Sequence, residues 1–108
     1  VRTFIDVRDA MRAYWEALRC RPGEVYNIGG TTTMTVGNFL ERLIALAKVP
    51  IRIRLDPGLL RPADVTLQIP CVDKFVQETG WRPEIPFEKS LADLLSYWRE
   101  RAERRQGA

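Results

Sequence analysis

Thr3-Phe4-Ile5-Asp6-Val7-Arg8-Asp9-Ala10-Met11 is the stretch that decides the architecture, because the hydrophobic period changes inside it. Thr3 to Ile5 is short and apolar, as an edge strand would be. From Asp6 onward, Val7, Ala10, Met11, Tyr14 and Leu18 recur at the i, i+3, i+4, i+7 spacing of one helix face. Asp6 can cap that helix. The helix is expected to end near Arg19, where Arg21-Pro22-Gly23 turns the chain. A strand feeding directly into a helix sets the expectation of a mixed domain.

Outward from there, Glu24 to Ile28 reads as a strand closed by Gly29-Gly30. Thr31 to Thr35 is a polar run, and Thr35 is a good N-cap for a second helix whose stripe is Val36, Phe39, Leu40, Leu43, Ile44 and Ala47. Pro50 stops that helix. Ile51-Arg52-Ile53-Arg54-Leu55 alternates apolar and basic, which predicts a strand with one wet face. Asp56-Pro57-Gly58 is a turn, and Leu59 to Ile69 is irregular because Pro62 and Pro70 deny a long helix. A short helix is predicted from Val72 to Thr79, capped by Asp73 and stopped at Gly80. After the Trp81–Pro86 linker, a last helix presents Phe87, Leu91, Leu94, Leu95 and Trp98. Trp81 and Trp98 are assigned to packing. Trp15 falls beside the first helix's stripe, facing whatever covers that helix. The predicted fold class is α/β (α+β): one small mixed domain over residues 1–108, with about four helices and three short strands.

Composition narrows the chemistry. The 108 residues bury roughly two-thirds of their unfolded surface, which leaves a core without much margin. There is no histidine, which excludes a histidine-dependent triad and a Cys/His zinc site; no metal site is expected. Cys20 and Cys71 form no CxxC pair, and reduced thiols in a cytoplasmic protein are the default. No stretch reads as a membrane span or a signal peptide. The net charge of +3 owes much to Arg99, Arg101, Arg104 and Arg105, which complement the dipole at a helix end. Aromatic residues are not interleaved with that run, so nucleic acid is not an expected partner, and without a span no membrane is expected either. The opening Val1-Arg2-Thr3-Phe4-Ile5, without an initiator methionine, reads as the middle of something longer. No GxGxxG is present, so no Rossmann phosphate loop is expected.

Several segments occur in the order found in the C-terminal half of extended short-chain dehydrogenase/reductases, the NAD-dependent epimerase/dehydratase family. Arg2-Thr3-Phe4-Ile5-Asp6-Val7-Arg8-Asp9 resembles the R-D-F-x-x-V-x-D stretch that opens the substrate domain. Val25-Tyr26-Asn27-Ile28-Gly29-Gly30 resembles the V-Y-N-I-G strand, and Thr35-Val36 the S/T-V helix start. Arg61-Pro62-Ala63-Asp64 is similar to R-P-x-D/E, and Lys74 with Thr79-Gly80-Trp81-Arg82-Pro83 to K-x-x-x-x-x-G-W-x-P. Cys71-Val72-Asp73-Lys74 departs from the usual Asp-x-Ser/Thr-Lys. The wording around Arg61 and the ending from Pro86-Phe87-Glu88 to Tyr97-Trp98 most resemble GDP-mannose 4,6-dehydratases and their GDP-4-keto-6-deoxymannose reductase relatives.

The resemblance implies the substrate half of such an enzyme without its Rossmann sheet, and a nucleotide diphosphate sugar as ligand. It implies that Arg2 reaches the phosphate or nucleoside side, Arg61 the pyrophosphate or ribose, and Asp64 the ribose hydroxyls. Arginine suits phosphate through its fork of donors, and a carboxylate accepts from a vicinal diol. The bland alternative is a surface salt bridge between Arg61 and Asp64. Asn27 and Gly29 are read as shaping the strand end. NAD(P) is implied on the missing Rossmann half, with no cofactor in this chain. No catalytic residue is expected either: the family's Tyr-x-x-x-Lys is absent, since Tyr14 is followed by Leu18, Tyr26 by Gly30 and Tyr97 by Arg101. The chain is therefore expected to be inactive alone. Its partner is either the missing Rossmann half, docked on an exposed apolar patch, or a further copy in a homo-oligomer formed by a freestanding binding module.

Overall fold

Asp6 lies between the first strand and the first helix and caps the latter. Its backbone is extended (φ −68°, ψ 136°) and its carboxylate accepts from the Arg8 N–H at 2.8 Å, satisfying one of the helix's free donors. The computed structural model describes residues 1–62 and 66–106. Within them the order is β1 (Arg2–Phe4), α1 (Val7–Ala17), β2 (Thr32–Met34), α2 (Val36–Ala45), a 3₁₀ turn (Pro57–Leu59), α3 (Asp73–Thr79) and α4 (Phe87–Gln106). Strands β1 and β2 pair antiparallel, with Arg2 opposite Met34 and Phe4 opposite Thr32. The described residues thus make a small mixed domain of four helices and a two-strand antiparallel sheet.

The caps fall where the residue types demand. The Asn38 N–H donates to Thr35 Oγ1 at 3.1 Å at the start of α2. Gly80 adopts φ +71°, the left-handed conformation that closes α3. Gly30 crosses β1 so closely that a Cβ there would stand 2.0 Å from the Phe4 carbonyl oxygen. Asp73, predicted to cap α3, instead lies in its first turn; Val72 holds the cap position without a side-chain bond.

The strand expectations are corrected in part. Glu24–Ile28 is irregular, because no described strand lies alongside to share a ladder; Glu24, Val25 and Asn27 are exposed. Tyr26 and Ile28 pack on the core. The second strand is Thr32–Met34, inside the run read as polar; threonine is β-branched and pairs well against β1. Ile51–Leu55 forms no strand either, and Ile51, Ile53 and Leu55 are all exposed.

The helix stripes are also corrected. In α1 the buried residues are Asp9 and Ala13, while Val7, Met11, Tyr14, Trp15 and the C-cap Leu18 are exposed. Trp98, expected in the core, is 53% exposed; Leu91 is the buried residue of α4. Trp81 is buried as expected, in a cluster with Ala13 and Phe75. The rings of Tyr26, Phe75 and Trp81 stack edge to face at 5.8 and 5.7 Å. A second cluster joins β1, α2 and α4: Phe4 lies 4.7 Å from Phe39, which lies 5.6 Å from Phe87.

One polar residue ties these parts together. Asp9, 2% exposed, accepts from the Glu84 N–H at 3.1 Å and the Ile85 N–H at 3.0 Å through its carboxylate. Its own carbonyl accepts from Trp81 Nε1 at 3.2 Å. Arg12 supplies the counter-charge at 3.3 Å and also donates to the Arg82 carbonyl. Asp9 therefore fastens the Trp81–Pro86 linker to α1 through charge-assisted bonds. Even so, the radius of gyration is 17.4 Å, against about 13 Å for a compact domain near this length. The core is thin and several apolar faces lie open.

Candidate functional site

Strand β1 also builds a polar cleft. On the side away from β2, Arg2 makes an isolated parallel bridge with Gln68, and the Gln68 N–H donates to the Val1 carbonyl at 2.9 Å. The Val1 amino group donates to the Thr66 carbonyl. Across the cleft, Gly29 receives Pro70, whose Cγ would lie 2.8 Å from any added Cβ. Three segments distant in sequence therefore meet around a cleft of about 550 Å³, lined by Arg2, Thr3, Asn27, Leu67, Gln68 and neighbours.

Arg2 is half-buried here, and its Nη1 donates to the Val1 carbonyl at 3.0 Å. Arg61 is exposed, just past the 3₁₀ turn, and is not among the residues lining this cleft. Asp64 lies outside the described residues. Of the residues singled out from sequence, the structure brings Arg2 into a concave, polar setting. Asn27, read as merely shaping a strand end, lines the same cleft, and Gln68 was not singled out at all. A chain segment paired to β1 from so far downstream carries no local signal; only the Arg61–Asp64 resemblance pointed to its neighbourhood.

A larger, mainly apolar cleft of about 680 Å³ opens on the other side, over Phe4, Phe39, Phe87, Leu91, Leu94 and Tyr97. Asp6 sits at its rim with a side chain 5% exposed. The Arg8 guanidinium, at 2.8 and 2.9 Å, and the Ser90 hydroxyl hold the Asp6 carboxyl well below the usual range, against the opposing effect of burial. Arg8 also reaches Asp93 at 2.9 Å.

Ionic contacts pin the loop after α1 onto α3. Lys74 Nζ lies 2.7 Å from Glu24 and 4.7 Å from the centre of the Tyr26 ring, and Arg21 lies 2.9 Å from Glu78. The Tyr26 hydroxyl is buried and makes no well-aligned hydrogen bond among the described residues. The nearby Glu78 carboxylate and burial push it up to about 12, so it stays protonated. A base is not built here.

The described residues hold no group of three metal-binding side chains, and none of their helices is long and apolar enough to cross a membrane. They do not fit a dinucleotide cofactor. Such a site needs a parallel βαβ unit whose helix start is open to the pyrophosphate. Here the sheet is antiparallel, and the start of α1 is closed by the Asp6 carboxylate, which would repel phosphate.

The fold matches the solved structure of RMD from Pseudomonas aeruginosa complexed with NADPH, with a TM-score of 0.81 and 32% identity over 93% of this chain and 32% of that one. The chain is 33% identical over 101 residues to GDP-6-deoxy-D-mannose reductase of Pseudomonas aeruginosa, covering 93% of this chain and 33% of the relative. It is 28% identical over 105 residues to dTDP-D-glucose 4,6-dehydratase of Homo sapiens, covering 92% of this chain and 30% of the relative. These likenesses define the class: the chain is homologous to part of the nucleotide-sugar dehydratase and reductase enzymes. More narrowly, it belongs to the GDP-mannose 4,6 dehydratase family, whose profile matches residues 1–94. It spans about a third of the length of the curated relatives it matches.

Proposed function

We propose that residues 1–108 form the nucleotide-sugar-binding portion of a GDP-mannose dehydratase- or reductase-like enzyme, with Arg2, Arg61 and Asp64 as its ligand contacts. The observation that carries this reading is Arg2, half-buried on β1 in the wall of a polar cleft, in a chain of this family. A guanidinium in that setting suits a diphosphate. NAD(P) and the hydride chemistry belong to the part of such enzymes that this chain does not span, so the chain alone is not catalytic. That part docks on the open apolar face of α1 (Val7, Met11, Tyr14, Leu18), a face otherwise costly to leave in water. Free Cys20 and Cys71 suit the cytoplasm.

Calorimetric titration with GDP-mannose and with UDP-glucose tests the reading. Saturable binding of GDP-mannose, lost in Arg61→Ala, supports it; binding undiminished in that variant removes Arg61 from the site. The same α1 face supports a second reading, a self-associating module. The molar mass by size-exclusion chromatography with light scattering separates the two, since a homo-oligomer would cover the face itself.

A further inference from the structure

We propose that Arg52 and Arg54 act as an electrostatic guide, drawing a doubly anionic nucleoside diphosphate sugar toward Arg61 without touching it. This rests on the nucleotide-sugar reading above and adds the means by which the ligand is gathered.

Positive charge is unevenly neutralised in this chain. Arg8, Arg12, Arg19, Arg21 and Lys74 each reach a carboxylate at between 2.7 and 3.3 Å. Near the end of α4, Arg99 and Arg101 are engaged in another way, donating to the Leu46 carbonyl and the Tyr97 hydroxyl. Arg52 and Arg54 differ from all of these: both are exposed, and neither makes an ion pair or a hydrogen bond among the described residues. The carboxylate of neighbouring Asp56 is turned to the Gly58 N–H, from which it accepts at 2.9 Å. Two unneutralised guanidinium groups thus precede Arg61 on one exposed stretch.

Their placement suits action at a distance. Neither lines either cleft, so neither is positioned to hold a ligand. Pro57–Leu59 coils as a 3₁₀ turn, at about 2 Å per residue against roughly 3.4 Å for extended chain, which keeps Arg54 within about 20 Å of Arg61. Charges in water feel one another over about 30 Å at 0.01 M salt but only about 3 Å at 1 M. In dilute salt the field of both guanidinium groups therefore reaches a dianion at Arg61 and raises its local concentration. In concentrated salt that field is gone, whereas a direct contact would survive.

The test is calorimetric titration of the chain with GDP-mannose at about 0.01 M and at about 1 M salt. Arg52→Glu with Arg54→Glu is expected to bind roughly threefold more weakly, or worse, in the dilute salt and to match the parent in the concentrated one. Arg52→Gln with Arg54→Gln should show about half that effect on a logarithmic scale, because it removes the charges without reversing them. An equal loss at both salts overturns the proposal, since the two arginines would then be contacts. No loss at either salt overturns it as well. Should the glutamate pair fail to fold by circular dichroism, the glutamine pair decides by the same criterion. If the unaltered chain binds no GDP-mannose at either salt, the nucleotide-sugar reading fails and takes this inference with it; if it binds and the salt pattern is missing, only the guide falls.

Discussion

Trp81 Nε1 donates to the main-chain carbonyl of Asp9 across 3.2 Å, while the carboxylate of the same Asp9 collects the N–H groups of Glu84 and Ile85. The ring and the linker that follows it are thus both anchored to one residue of α1. Removing the carboxylate would strand buried donors as well as lose their bonds.

Asp9→Ala is therefore expected to destabilise the chain by about 2–4 kcal/mol, and Asp9→Asn by roughly half as much, since one amide oxygen still accepts. Urea denaturation followed by tryptophan fluorescence measures both. A change below about 0.5 kcal/mol in the alanine variant would mean that the linker is held by Trp81 packing alone.

Two glycines should respond with opposite signs. At Gly30 an added Cβ would stand 2.0 Å from the Phe4 carbonyl oxygen, so Gly30→Ala forces β1 away from the crossing and is expected to cost more than about 3 kcal/mol. At Gly37, inside α2, the nearest atom is Thr35 Oγ1 at 3.8 Å, so Gly37→Ala is expected to stabilise by about 0.5–1 kcal/mol. Thermal melts of the two variants side by side check the pair.

Asp6 makes stability fall in acid. Its folded-state pKa lies well below the ordinary 3.8, first because of the Arg8 guanidinium and then the Ser90 hydroxyl, so the unfolded chain takes up the proton first. The contribution is fully present well above the unfolded value, begins to fall near about pH 5, and is lost progressively as pH drops below the unfolded value toward the lower folded one. Asp6→Asn should flatten the stability profile between about pH 5 and pH 3 while lowering the neutral plateau. Denaturant midpoints across that range supply the measurement, and a variant profile parallel to the parent's would place the acid sensitivity elsewhere.

The open face of α1 should tolerate charge. Leu18 is 76% exposed and Tyr14 is also exposed, so Tyr14→Glu with Leu18→Lys is expected to change stability by no more than about 0.5 kcal/mol. The double variant should bind less of an apolar dye such as ANS and elute as a monomer. A large loss of stability instead would mean that the face is folded against the chain's own core.

These residues also mark how far the sequence could be read. Helix ends were legible because Asp6, Thr35 and Gly80 act on their immediate neighbours, and such chemistry is local. The strands were not, because pairing is decided between distant segments: Thr32–Met34 is a strand only because β1 lies beside it, and Ile51–Leu55 fails for want of a neighbour. Periodicity in α1 located an apolar stripe but could not say whether this chain covers it, and the buried face proved to carry Asp9 and Ala13. Burial of Asp9 depends on N–H groups at Glu84 and Ile85, which no window around Asp9 contains. Of the candidate site, Arg2 was legible through the family motif that holds it, and Arg61 stands outside the cleft that Arg2 lines.

The wall carrying Leu67 to Pro70 meets β1 through one parallel bridge among the described residues, not through a ladder. It is held at separate points instead: the Gln68 N–H on the Val1 carbonyl, the Val1 amino group on the Thr66 carbonyl, and Pro70 seated against Gly29. Without a continuous edge to share the load, each point carries its own part. Gly29→Ala, whose Cβ would meet Pro70 Cγ at 2.8 Å, is therefore expected to speed deuterium exchange at the Gln68 amide.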